Sequence, residues 1–178
     1  MIFCIIIFAF LSLESMDKTL LQEITYTCYT GSYPHADQLS KTDWQKFNLE
    51  QLFLHTDNNT KRIIAKQNQK PIGSIVFYSS EHQEKIIGHI SYLEVAMNYR
   101  KQKIGSCLLA LATCELIATD HCLWVTLNSL EDSVQFYRKN NFEHVFMVSY
   151  LLRASSAHEV RNIMGIESLP ILSYAPTN

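Results

Sequence analysis

Seven residues between a β-rich stretch and an apolar run carry the first hint of chemistry. Arg100, Lys101 and Lys103 set three cations just ahead of Ile104, Gly105 and Ser106, and the run Cys107-Leu108-Leu109-Ala110-Leu111-Ala112 follows at once. Leu and Ala without Gly or Pro favour a buried helix, so the cations stand at its N-terminus. There the first N–H groups lack intrahelical partners and the macrodipole is positive. Upstream, residues 86–95 (IIGHISYLEV) are β-branched and aromatic, as in a buried strand. A strand, a basic turn and a helix N-terminus together make an anion cradle suited to phosphate. Such a turn is also a common solvated surface loop, so this pattern alone leaves both readings open.

A second stretch decides between them. Ser133-Val134-Gln135-Phe136-Tyr137-Arg138-Lys139-Asn140-Asn141-Phe142 follows the strand-like Leu123-Trp124-Val125-Thr126-Leu127. With Leu93-Glu94-Val95, Tyr99-Arg100 and Ile104-Gly105, the pair Phe136-Tyr137 and the closing Asn141-Phe142 resemble the signatures of the GNAT superfamily of acyl-CoA-dependent N-acyltransferases. The resemblance covers residues 60–150. It implies an α/β (α+β) fold: a mixed, mostly antiparallel central sheet with helices on both faces, splayed at two parallel central strands. It also implies acetyl-CoA as acyl donor, an amine as acceptor and no metal. Two positions depart from the pattern, Lys103 and Asn141, where the family keeps Gly. Asn tolerates the left-handed conformation best among non-Gly residues and keeps the turn after the helix. If position 103 is helical or extended, Lys costs nothing there and its charge favours a pyrophosphate. If it needs positive φ or close backbone approach, cofactor binding suffers.

An acyl transfer from thioester to amine needs a held donor, a neutral amine, a stabilised oxyanion and a proton for the leaving thiolate. By resemblance, Leu93, Val95 and Met97 hold the pantetheine arm through backbone groups, as an added strand would. The turn Arg100, Lys101, Lys103, Ile104, Gly105 and Ser106 takes the pyrophosphate. The family's base often sits six residues before the position of Val95, which is His89 here. A histidine titrates near pH 6.5 and accepts a proton at neutral pH. Strand alternation places His89, Ser91, Leu93 and Val95 on one face and Glu94 on the other. Glu94 is the competing base, and a bulge near residue 95 is required to bring both to one cleft. Tyr137 stands where the family keeps a general acid, and its phenol is protonated at neutral pH. The oxyanion donor is the N–H of Val95. An Asn found seven residues before the Tyr in some members is Leu130 here, and Asn128 is out of register. Glu131 and Asp132 either attract a cationic substrate or cap the short helix.

Composition bounds the remaining choices. A chain of 178 residues, 47% hydrophobic and 18% charged, is an ordinary globular protein with one main core. Net charge −2 gives no electrostatic case for nucleic acid. The five cysteines, Cys4, Cys28, Cys107, Cys114 and Cys122, show no metal-ligand or disulfide spacing and fit a reducing compartment. The expected protein is a cytoplasmic monomer or homodimer acting on an amine-bearing partner. The alternative, motivated by Lys103 and the missing Asn, is a non-catalytic acyl-CoA-binding or protein-interaction module on the same fold.

Three segments are expected. Residues 1–15 open with an unbroken apolar run too short to span a bilayer and lacking the features of a secretory signal, so they read as an extension ahead of a start at Met16 or as a membrane-associated segment. Residues 16–153 form the acetyltransferase-like domain, and 154–178 a polar tail, an accessory helix or mobile. Within the domain, 22–30 is a strand and Ser40-Lys41-Thr42-Asp43 caps a helix carrying Trp44 and Phe47. Those aromatics and Tyr33 are read as packing that helix on the sheet rather than lining a cleft. Residues 61–66 and 72–78 form a hairpin, 79–84 an exposed loop, 122–127 a strand parallel to the central one, and 144–153 one last strand.

Overall fold

The computed structural model describes residues 24–30, 60–166 and 168–174. The apolar N-terminal run and the expected helix with Trp44 and Phe47 lie outside the described residues, as does Tyr33. The strands are β1 (Thr25–Thr30), β2 (Lys61–Gln67), β3 (Lys70–His82), β4 (Lys85–Val95), β5 (Trp124–Asn128), β6 (Glu143–Phe146), β7 (Ser149–Arg153) and β8 (Leu172–Tyr174). They form one sheet in the order β6-β7-β5-β4-β3-β2-β1-β8. Among the described strands only β4 with β5 and β1 with β8 run parallel. The sheet is therefore mixed and mostly antiparallel, with the expected parallel pair at its centre. Helices α1 (Ile104–Ala118), α2 (Val134–Lys139) and α3 (Ala157–Met164) complete the described fold.

Two segments differ from expectation. Residues 79–84 are no loop: β3 runs on to His82, pairing Ser79 with Gly88 and His82 with Lys85. Gln83 and Glu84, both left-handed at φ 49° and 62°, make the two-residue hairpin turn. The polar side chains of this extension hid the strand, although its backbone register never breaks. Residues 144–153 are two strands, because Met147 takes a φ of 46° and reverses the chain between β6 and β7. After residue 153 the described residues form the expected accessory helix, and a short strand beyond it. Ser156 caps α3 by accepting from the Glu159 N–H at 3.2 Å, Gly165 ends it at φ 64°, and β8 then joins the sheet beside β1.

The core lies between the sheet and α1, where Ile63, Ile75, Phe77, Leu108, Leu109, Leu116 and Val125 are fully buried. Such a helix, apolar all round, belongs in a core. At its C-terminal end Lys61 bridges Glu115 at 3.2 Å and Asp120 at 2.6 Å, and the Tyr174 hydroxyl donates to Glu115 at 2.8 Å. This cluster ties β2 and β8 to the helix. In β4, Ile90 pairs with Phe77 and Tyr92 with Val76, which leaves Ser91 as an extra residue. That bulge reverses the alternation beyond it. The Ser91 hydroxyl donates to the Val76 carbonyl at 3.3 Å and helps pin it.

Helix α1 lies close on β4 at Gly88. A Cβ there would fall 2.8 Å from Leu116 Cδ1 and 3.2 Å from both Leu116 Cβ and Val125 Cγ2. Since those neighbours are fully buried, Gly88→Ala is expected to destabilise the fold by about 1–3 kcal/mol. Thermal denaturation should show the midpoint falling by several degrees; an unchanged midpoint contradicts this packing.

Candidate active site

The parallel pair at the centre is short. Strand β4 pairs with β5 only where Ile87–Ile90 face Trp124–Leu127, whereas its ladder with β3 continues to Val95 opposite Gly73. From Ser91 onward the β5 side of β4 is open among the described residues. Ladder phase then fixes which backbone groups face the opening. The Ala96 N–H donates to Ile72 across the β3 side at 2.9 Å. Hydrogen-bonded positions alternate in an antiparallel ladder, so the N–H and C=O groups of Val95 and Leu93 point away from β3. The Val95 carbonyl already accepts from Arg100 Nε at 3.1 Å, and its N–H stays directed at the opening. Met97 does not extend this row. It lies in the 3-10 turn Met97–Tyr99, where its carbonyl accepts from the Arg100 N–H at 3.3 Å.

The basic turn closes one end of that opening. Lys103, the N-cap of α1, has φ 62° and ψ 2°, and Lys101 has φ 65°. The strained alternative for position 103 is therefore the one adopted. A left-handed non-Gly residue costs about 1–2 kcal/mol. Alternating left- and right-handed residues turn successive N–H groups toward one concavity. Among the described residues the N–H groups from Lys101 to Ser106 make no backbone hydrogen bond, and no side chain caps the helix. Arg100, Lys101 and Lys103 are exposed around this concavity, Ser106 is half-buried, and buried Ile104 anchors the turn in the core. A Cβ on Gly105 would lie 3.4 Å from the Phe136 ring and 3.6 Å from Val95 Cγ2. The strand end, the helix start and α2 thus meet at one point.

The bulge at Ser91, rather than one near residue 95, puts the candidate bases on one face of the sheet. His89 pairs with Tyr78, Tyr92 with Val76 and Glu94 with Ser74, so all three lie on the face away from α1. Leu93 and Val95 share the α1 face instead. The His89 ring is half-buried and stacks on Tyr78 at 5.0 Å between centroids. Its Nε2 lies 2.8 Å from Ser80 Oγ and its Nδ1 2.8 Å from Thr126 Oγ1. Burial lowers its pKa, which favours the neutral ring. The Tyr92 hydroxyl donates to the Glu94 carboxylate, and burial followed by that carboxylate raises the Tyr92 pKa.

Tyr137 is buried in an aromatic cluster with Phe136, Phe142 and Tyr150 at centroid distances of 5.1, 6.3 and 6.3 Å. Burial raises its pKa, so the phenol keeps its proton. Asn141 takes the left-handed position after α2 at φ 60°, as Asn was expected to. Leu130 is exposed and fills no polar role, and Glu131 and Asp132 sit exposed in the 3-10 turn ahead of α2. Sequence reading missed Ser80, Thr126 and Tyr92. The first two belong to His89 only through strand register, which no local motif reports. Among the described residues no group of three or more His, Cys, Asp or Glu side chains is placed to hold a metal. None of their helices is long and apolar enough to cross a membrane.

The family model of the acetyltransferase (GNAT) family matches residues 19–142. No curated protein gives a significant match. Among solved structures, the aminoglycoside acetyltransferase meta-AAC0020 from an uncultured soil metagenomic sample, in complex with trehalose, is 22% identical with a TM-score of 0.53. That match covers 70% of this chain and 92% of the other. Tetrahymena GCN5 is 13% identical with a TM-score of 0.56, covering 72% and 94%. The Bacillus subtilis N-acetyltransferase YlbP, in complex with coenzyme A, is 12% identical with a TM-score of 0.52, covering 74% and 97%. At these identities the likeness is one of fold.

Because Lys103 holds a conformation that Gly adopts freely, Lys103→Gly should stabilise the protein by about 1 kcal/mol. For a chain of this length that is a rise of about 2–4 °C in the melting midpoint. A lower midpoint would mean that the Lys103 side chain holds the turn by contacts outweighing its strain.

Proposed function

The chain belongs to the acetyltransferase (GNAT) family, and on that premise we propose that it transfers an acetyl group from acetyl-CoA to a primary amine. Transfer occurs by direct attack within a ternary complex. The observation that carries this reading is the open strand edge of Leu93 and Val95 leading into the unpaired N–H groups from Lys101 to Ser106. An extended amide chain adds to such an edge as another strand does. A pyrophosphate suits the helix N-terminus beyond it, where Arg100, Lys101 and Lys103 add positive charge. A pantetheine arm followed by a pyrophosphate matches that order.

The remaining roles are assigned to His89, Glu94, Val95 and Tyr137. His89, kept neutral by burial, takes the amine proton, with Glu94 on the same face as the alternative base. The Val95 N–H receives the developing oxyanion. Tyr137 gives its proton to the departing thiolate, a task that its buried, protonated phenol supports. The acceptor is a small-molecule amine or a protein or peptide amine. Glu94 supplies negative charge on the face where that amine would approach.

Release of free thiol from acetyl-CoA, followed across polyamines, aminoglycosides, amino acids and peptides, tests the reading. Turnover above background hydrolysis on at least one amine is expected. With that amine, His89→Ala should lower kcat/KM by about 10² with little change in acetyl-CoA affinity. The acidic limb of the wild-type profile should lie below pH 6.5, since burial depresses the His89 pKa, and should vanish in His89→Ala. Tyr137→Phe should slow turnover and keep that limb. Tight acetyl-CoA binding with no turnover on any amine would support the non-catalytic acyl-CoA-binding module instead.

A further inference from the structure

The hydrogen bonds around His89 can all be made at once in only one direction. Thr126 Oγ1 lies 3.1 Å from the Gly88 carbonyl and 2.8 Å from His89 Nδ1. A carbonyl oxygen only accepts, so the single hydroxyl proton of Thr126 goes to Gly88. Toward the imidazole that oxygen is left as an acceptor, and Nδ1 must carry the ring proton. In the neutral ring Nε2 is then the basic nitrogen, and the group that meets it at 2.8 Å is the Ser80 hydroxyl. A chain of donors runs from Ser80 through the ring and Thr126 to the backbone of Gly88.

We infer that Thr126 locks His89 in the Nδ1–H tautomer and that Ser80 is the relay through which the acceptor amine's proton reaches Nε2. The inference rests on the reading of His89 as the base. The transfer is balanced: the amine nitrogen gives a proton to Ser80 Oγ as Ser80 passes its own proton to Nε2. Ser80 is thereby restored and the ring becomes an imidazolium, with Nδ1–H still bound to Thr126. Ser80 suits the task because it is half-buried on the sheet face shared by His89, Tyr92 and Glu94. Thr126 acts through the ring alone and is a positioning residue.

Among the described residues the ring's own contacts are few. From β3 the ring meets Tyr78 and Ser80, and from β5 Thr126. On the same face lie His82 of β3, Lys85, whose ammonium sits 6.0 Å from the Trp124 ring, and Tyr92 and Glu94, which are paired with each other. No charged group contributes to the lowered His89 pKa, for which burial is the cause. The two hydroxyls therefore determine which nitrogen is basic and what reaches it.

Nitrogen-15 imidazole spectra of the full chain, recorded through a pH titration, test the tautomer without any substrate. Wild-type His89 should be the Nδ1–H form above its pKa. Thr126→Val should shift it toward Nε2–H, and Thr126→Ser should restore it. A wild-type ring carrying its proton on Nε2 would overturn the inference. The relay is read from acetyl transfer to the most active amine of the panel above. Ser80→Ala should lower kcat/KM by about tenfold or more, leave the KM for acetyl-CoA unchanged and be rescued by Ser80→Thr. Full activity in Ser80→Ala beside an impaired His89→Ala would remove the relay and keep His89 as base. Full activity in His89→Ala would remove the reading on which both rest.

Discussion

Strand β4 keeps its ladder with β3 from Lys85 to Val95 but shares hydrogen bonds with β5 only from Ile87 to Ile90. Beyond that point the two parallel strands part, and the backbone of Leu93 and Val95 is left facing a gap. Exposed strand edges invite pairing, and proteins usually cover or blunt them. Here the edge is interior to the sheet, flanked by α1 and α2, and has no strand partner among the described residues. The bulge at Ser91 falls where the parting begins. It reverses the alternation of side chains, so that Tyr92 and Glu94 join His89 on one face while Leu93 and Val95 turn toward α1.

The helix that follows supplies the second half of the site. Its body is fixed by burial: Leu108, Leu109, Ala110, Ala112 and Leu116 leave no room for α1 to shift against the sheet. Ile104, buried at its first turn, carries that rigidity to the N-terminus. The left-handed Lys101 and Lys103 are therefore held in place by packing from behind, as backbone strain at functional sites generally is. The strain arranges N–H groups and three cations around one concavity. Fold and candidate chemistry are coupled there, since loosening the helix start would also scatter the donors.

Much of this was legible in the sequence, and the reasons for the rest are specific. The apolar content of residues 86–95 and 107–112 marked the central strand and helix, and the pairing of Tyr99-Arg100 with Phe136-Tyr137 marked the family. The conformation of Lys103 could not be read, because a lysine is compatible with both alternatives considered. Nor could the bulge, since Ser91 carries no Gly or Pro signal and its consequence is a reversal of parity. The extension of β3 was hidden by its unbroken run of polar residues, Ser79 to His82. The break at Met147 lacks any turn-forming residue. Ser80 and Thr126 are nine and thirty-seven positions from His89 in sequence, and register alone brings them to its ring.

The central claim is that the gap beside β4 and the N-terminus of α1 together hold an acyl-CoA. Calorimetric titration of acetyl-CoA into the full chain and into Lys103→Glu addresses it most directly, because the substitution reverses one charge at the concavity and leaves the strand edge untouched. Saturable binding is predicted for the unaltered chain, weakened about tenfold or more in Lys103→Glu, which corresponds to about 1.4 kcal/mol. Absence of binding at millimolar acetyl-CoA, or equal affinity in the two proteins, would contradict the account.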